Sequence, residues 1–171
     1  SRDRSLALDD VTVNYWYADP FSPDIAVREK ADGWYENGTQ VIFACGGGLD
    51  ESVLEAAENQ DGLLIGVDVD QCRDSDRVLT SAVKNIGSAV TDTLDSFYAN
   101  GGWNSGRSGQ VKRYGVDEGC AAIPVVDTEW RFKEIPTTHF FEIYKQMKRG
   151  GRTVSDDISA PPQVAVTVNF E

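Results

Sequence analysis

Two carboxylates, Asp68 and Asp70, stand one residue apart where the apolar run 63–67 (LLIGV) ends. Strand alternation sends both to the same side of a sheet. A carboxylate there accepts two hydrogen bonds at once, which suits neighbouring hydroxyls such as a ribose diol. With Asp74 and Asp76 the same acids could form a calcium loop, but the glycine and bidentate glutamate of an EF-hand are missing. They could also be the nucleophile and acid of an aspartyl-phosphate-type phosphatase. That pattern is expected on the first strand and followed by Thr or Val, whereas here it lies on the third and continues into Gln71-Cys72. A solvated acidic turn is the plainest alternative. Lys84 closes the next apolar run, beside Asp68 if successive strands are neighbours. The two can hold a polyhydroxylated group between them or pair with each other.

A second concentration of chemistry follows the run 41–45 (VIFAC), where Gly46, Gly47 and Gly48 precede a helix. Backbone N–H groups can approach a ligand closely there. The Lys-Ser/Thr ending of a P-loop and the spacing G-x-G-x-x-G are both absent, so nucleotide phosphates are not indicated. A tight strand-to-helix turn is the favoured reading of a bare glycine triplet. Tyr15, Trp16, Tyr17 and Phe21 offer a stacking face for a heterocycle, or pack a core. His139, the single histidine, reads as a surface or capping residue. Cys45, Cys72 and Cys120 are widely spaced and odd in number, which fits neither a zinc knuckle nor a disulfide framework. No metal site and no cofactor are expected.

These residues need elements to position them. The chain has 171 residues, 40% of them hydrophobic and 10% aromatic, enough to bury a core. Lys and Arg number 16 against 28 Asp and Glu, and the net charge of -12 opposes nucleic-acid polymers and anionic membranes as partners. No apolar run is long enough to cross a bilayer, and Ser1-Arg2-Asp3-Arg4 is too charged for a signal-peptide core.

Short β-rich runs alternate with helical stretches, the pattern of an α/β fold with a parallel sheet and helices on its faces. Strands are predicted at 11–17, 41–45, 63–67 and 78–83, a broken strand pair over 112–126, and a closing strand at 164–170. Helices are predicted at 25–36, 50–59, 88–99 and 138–149. Asp24 caps the first and Asn37-Gly38 stops it. The tracts 100–110 and 155–162 read as loops. In an open parallel sheet ligands lie beyond the carboxyl ends of the strands, which directs attention to Asp19 to Phe21, Ala44 to Gly48, Asp68 to Gln71 and Lys84-Asn85.

The string GWYENGTQVIFACGGGLDESVLEAAENQDGLLIGVDVDQ, followed by VLTSAVKN and a helix, closely resembles the basic membrane protein family. These are substrate-binding lipoproteins of ABC transporters and include purine nucleoside receptors. The likeness runs from about Val11 to the helix near 99, and more loosely through YGVDEGCAAIP to the end. It implies a type I periplasmic-binding-protein fold, with ligand held between two α/β lobes. Asp68 is similar to the acid that binds ribose hydroxyls and Lys84 to its basic companion. Ala44, Gly46 and Gly47 are similar to backbone contacts at the pocket wall. Phe21 corresponds to a cleft-facing loop, although DPFSP departs from the usual pattern.

Family members are longer. The resemblance therefore implies that residues 1–85 form the second lobe and 86–171 a crossover helix, strands and closing elements shared between lobes. Most of the first lobe, a signal peptide and a lipid-bearing cysteine would lie outside this chain. The expected role is non-catalytic. An extracytoplasmic, lipid-anchored receptor binds a purine nucleoside or similar small molecule and passes it to an ABC permease. A cytoplasmic sensor of the same fold is the alternative. Apolar faces left by the missing lobe would need another covering, such as a homodimer.

Overall fold

The computed structural model describes residues 10–19, 21–103, 106–155, 159 and 164–171. Most of the tract expected as a loop at 155–162, two residues of the one at 100–110, and Ser1 to Arg4 lie outside them. The described chain is mixed α/β, and its strands pair mainly in parallel. It falls into two compact units, Ser1–Pro20 with Thr153–Glu171, and Phe21–Arg152.

In the first unit β1 (Thr12–Tyr15) pairs in parallel with β6 (Thr167–Phe170), in register from Thr12↔Thr167 to Tyr15↔Phe170. Asn169 donates to Asn14 across this ladder at 2.9 Å. Tyr15 lies 5.0 Å, and Tyr17 5.9 Å, from the Phe170 ring, centroid to centroid. Two of the aromatics considered as stacking residues or core, Tyr15 and Tyr17, thus belong to a small local cluster with Phe170.

The second unit holds a four-stranded sheet in the order β2-β3-β4-β5. Strands β2 (Val41–Phe43), β3 (Leu63–Asp68) and β4 (Val78–Lys84) are parallel neighbours, so their carboxyl ends share one edge. The helices α1 (Ile25–Glu36) and α2 (Leu49–Gln60) form where predicted, and they pack on each other. Val27, Ala31 and Tyr35 recur at four-residue spacing and supply the buried stripe of α1. On α2 the fully enclosed Ala56 and Ala57 present little bulk to the neighbouring elements. Asp24 caps α1 by accepting from Ala26 N–H at 2.7 Å, and its own N–H donates to Ser52 Oγ on α2 at 2.9 Å. Leu64 and Val78 are the largest enclosed apolar side chains of the sheet.

The second half departs from expectation. In place of a strand pair over 112–126 there is a two-residue strand, β5 (Ala121–Ala122), antiparallel to the end of β4. Local bonds have taken the backbone groups a longer ladder would need: Cys120 N–H donates to Gly115 O at 2.8 Å, Gly119 N–H to Val116 O, and Gly115 N–H to the Glu118 carboxylate. Gly119 has φ +70°, which closes that turn. Helices α3 (Ile86–Ala99) and α4 (Thr137–Lys148) form as predicted but bury no residue. On α3, Ile86, Val90, Leu94 and Tyr98 are exposed at four-residue spacing. The α3 carboxylate Asp92 gathers Arg107, Lys112 and Tyr114, which hold its carboxyl well below the usual range. No helix of the described residues is long and apolar enough to cross a membrane.

Tyr35 shows how closely α1 sits on the sheet. Its hydroxyl donates to Leu63 O at 2.8 Å, and its ring occupies the space a Cβ on Gly62 would need. Burial pushes its pKa up from 10.0, against a smaller lowering from the Ile42 backbone. The neutral phenol therefore contributes stability below the unfolded-state pKa, and this is lost as pH rises above about 10. Tyr35→Phe should cost about 1 kcal/mol at pH 7 and should flatten the alkaline decline, as urea titrations at several pH values would show.

Candidate functional site

At the carboxyl edge of the sheet, Asp68 is the last residue of β3 and is opposite Val83. It does not continue the strand. Its φ is +69°, and Val69 N–H donates to Val67 O at 2.8 Å, so the chain leaves the sheet through a γ-turn centred on Asp68. This is the strained form of the turn, with positive φ on a residue that has a Cβ.

The turn corrects the expectation that Asp68 and Asp70 share a side, because alternation ends at Asp68. Their carboxylates have separate partners. Asp70 accepts from Cys72 N–H at 3.1 Å and lies 3.5 Å from the Cys72 thiol. Burial pushes the Asp70 pKa upward, but hydrogen bonds from Thr128 and Cys72, with Arg73 nearby, hold it below the ordinary value. Asp70 is thus a turn-forming side chain.

Lys84 Nζ lies 2.7 Å from Asp68 Oδ1. The side-chain contact with Asp68 outweighs desolvation and raises the Lys84 pKa, and Cys45 adds to the effect. The ammonium covers Asp68 Oδ1, which is enclosed at this contact. Side chains of the pair remain 62% and 44% exposed, so it is an ion pair at a surface and stays reachable.

The glycine turn lies at the end of β2. Ala44 is buried, and its N–H donates to Ile65 O at 3.3 Å, so this N–H belongs to the sheet. Phe21 lies over the turn: its ring occupies the place of a Cβ on Gly46, and its carbonyl crowds Gly47, whose φ is +47°. Gly48 N–H donates to Phe21 O at 3.2 Å. Phe21 is 68% exposed, with much of the ring still open. The structure therefore joins Phe21 to Gly46 and Gly47, and it joins Asp68 to Lys84, at the carboxyl ends of adjacent strands.

Sequence reasoning missed the residues that support Asp68. Gln71 Oε1 accepts from Val67 N–H at 2.9 Å, Gln71 N–H donates to Ser81 Oγ at 3.1 Å, and Gln71 Nε2 donates to Asp50 on α2. A Cβ on Gly66 would collide with the Gln71 amide and lie 2.9 Å from Ser81 Oγ. An isolated glycine within a strand was the available signal, since it marks close approach of another group. Arg131 was also missed. It donates to the carbonyls of Cys72, Ser75 and Val78, tying the segment after β5 to the β3–β4 connection.

An apolar groove of about 750 Å³ lies beside the amino ends of β3 and β4, among Leu63, Leu79, Trp130, Phe132 and Ile135. It contains none of the predicted site residues. Among the described residues no group of three or more His, Cys, Asp or Glu could hold a metal ion.

Residues 7–162 match the family model Bmp, described as ABC transporter substrate-binding protein PnrA-like. The chain belongs to this family. The ABC transporter nucleoside-binding protein BmpA of Lactococcus lactis subsp. cremoris (strain MG1363) is 31% identical over 104 residues, with 50% of this chain and 30% of that protein covered. The matched region thus spans less than a third of the length of this relative. The family agrees with the mixed α/β fold and the parallel sheet.

If the Lys84 ion pair serves a ligand rather than the fold, removing it should hardly affect stability. Lys84→Met is expected to change the unfolding free energy by less than about 1 kcal/mol. Urea denaturation measures this, and a loss above about 2 kcal/mol would mark the pair as structural.

Proposed function

We propose that this chain contributes one wall of the ligand cleft of an extracytoplasmic solute-binding protein, whose ligand is a purine nucleoside. One observation carries the reading. Asp68 is held at a strained positive φ beside Lys84, with its side chain 44% exposed, at the sheet edge where α/β folds bind ligands. Two vicinal hydroxyls would supply the donors this carboxylate can accept.

The other expected site residues fit supporting roles. Lys84 accompanies the carboxylate and donates to a sugar oxygen. Phe21, mostly exposed above Gly46 and Gly47, offers a face for a flat ring. The glycines keep that wall free of side chains. Ala44 lines the wall without donating its N–H.

Membership of the family supports a binding role, and the name of the lactococcal relative supports a nucleoside. Residues 1–85 would supply the second lobe and 86–171 the crossover and closing elements. In the complete protein, a lipid anchor would hold the receptor at the outer face of the membrane, from which it delivers ligand to an ABC permease. No catalytic step is assigned to Asp68 or Asp70. The engagement of Asp70 with Cys72 and Thr128 favours binding over phosphoryl transfer.

The complete protein should bind purine nucleosides in a calorimetric screen, and Asp68→Ala should weaken binding by about 2 kcal/mol or more through loss of a charged acceptor. Unchanged affinity in that variant would reject the ribose assignment.

A further inference from the structure

Asp68 does not keep its conformation unaided. A non-glycine residue at φ +69° returns to the ordinary strand region unless its neighbours over-determine it. The γ-turn has one bond of its own, from Val69 N–H to Val67 O. The residue before Asp68, Val67, would normally have its N–H fixed by the sheet. Instead that N–H donates to the side-chain carbonyl of Gln71 at 2.9 Å.

Gln71 is in turn held at three points. Its backbone N–H is anchored on Ser81, a fully buried hydroxyl of β4. Its amide nitrogen donates to the Asp50 carboxylate in the first turn of α2. Its amide also fills the space over Gly66. A single residue thus links the end of β3, the middle of β4 and the start of the helix that follows the glycine turn.

We propose that Gln71 is a positioning residue for ligand recognition. It bridges Val67 N–H and Asp50, and so locks the γ-turn that presents Asp68 to the sugar. The role in recognition rests on the ribose reading of Asp68; the locking of the turn does not. Ligand selectivity then depends on the strut from α2 as well as on the carboxylate. Asp50 acts as its outer anchor. Its charge is needed only as an acceptor, because the bridge can be rebuilt with donor and acceptor exchanged.

The test uses Gln71→Leu, Gln71→Glu, and the double variant Gln71→Glu/Asp50→Asn in the complete protein. In the double variant a Glu oxygen still accepts from Val67 N–H, and the Asn amide donates back to the other oxygen. Two readouts are taken. The first is the one-bond Cα–Hα NMR coupling of Asp68, which is lowered at positive φ. The second is the affinity for adenosine, guanosine and inosine relative to their 2′-deoxy forms.

Gln71→Leu should raise the coupling toward the strand range and reduce the ribose preference about tenfold or more, the scale of a lost bond to a charged group. Gln71→Glu alone should share both defects, and the double variant should restore both. A Leu variant that keeps the low coupling overturns the proposal. So does an equal loss of affinity for both sugars with the coupling unmoved, which is what a merely structural role would give. If Gln71→Leu does not fold, the two Glu variants decide by rescue, and failure of the double variant to restore the coupling overturns the proposal. If the wild-type protein shows no ribose preference, the ribose reading falls, while loss and rescue of the coupling still support the locking of the turn.

Discussion

The carboxyl edge of the sheet depends on how the chain leaves β3. A strand that ran on past Asp68 would carry its carboxylate along an alternating ladder. The γ-turn instead stops the strand and fixes that carboxylate 2.7 Å from Lys84. A positive φ at such a residue costs about 1–3 kcal/mol. The bonds from Val67 N–H to Gln71, from Gln71 N–H to Ser81, and from Gln71 to Asp50 are of the right order to offset it, at about 1 kcal/mol each and more for the charged acceptor. The arrangement is cooperative in a simple sense. Gly66 makes room for the Gln71 amide, which holds Val67, whose geometry sets the turn.

The neighbouring loop is held independently. Asp70 closes its own turn on Cys72, and Arg131 gathers the carbonyls of Cys72, Ser75 and Val78. Backbone groups in a β3–β4 connection would otherwise depend on water. An arginine suits this task, since its donors lie in one plane and diverge at fixed angles. Glu129 pairs with the same guanidinium at 2.6 Å and balances its charge. The connection from β3 to β4 is consequently braced from a segment more than fifty residues later in the sequence.

Local pattern made most of the first half legible in the sequence. The apolar runs of β2, β3 and β4, the Asp24 cap and the Asn37-Gly38 stop are short-range signals, and the elements formed within a few residues of the predicted bounds. The pairing of β1 with β6 was not legible, because it joins residues about 155 apart and depends on tertiary register. The region 112–126 misled because its apolar residues, Val116, Ile123 and Val126 among them, suggest strand, while the Gly115 and Gly119 turn consumes the backbone groups. At the site, the residue types of Asp68 and Lys84 were legible from their positions at strand ends. The backbone strain and the Gln71 bridge were not, since a glutamine in an acidic loop has no periodic signature.

The two ends of the sheet also separate volume from chemistry. The groove at the amino ends of β3 and β4 holds about 750 Å³, and two of its polar side chains are turned to the backbone: Trp130 Nε1–H donates to Ile135 O at 2.6 Å, and Arg131 donates to carbonyls and Glu129. The carboxyl end has a half-exposed carboxylate held at a strained turn, an exposed lysine paired with it, and a ring over bare backbone. Recognition of a small polar molecule requires unfilled hydrogen-bonding capacity at fixed positions, and only groups held under constraint keep that capacity when no ligand is bound. The strained edge at Asp68 meets that requirement.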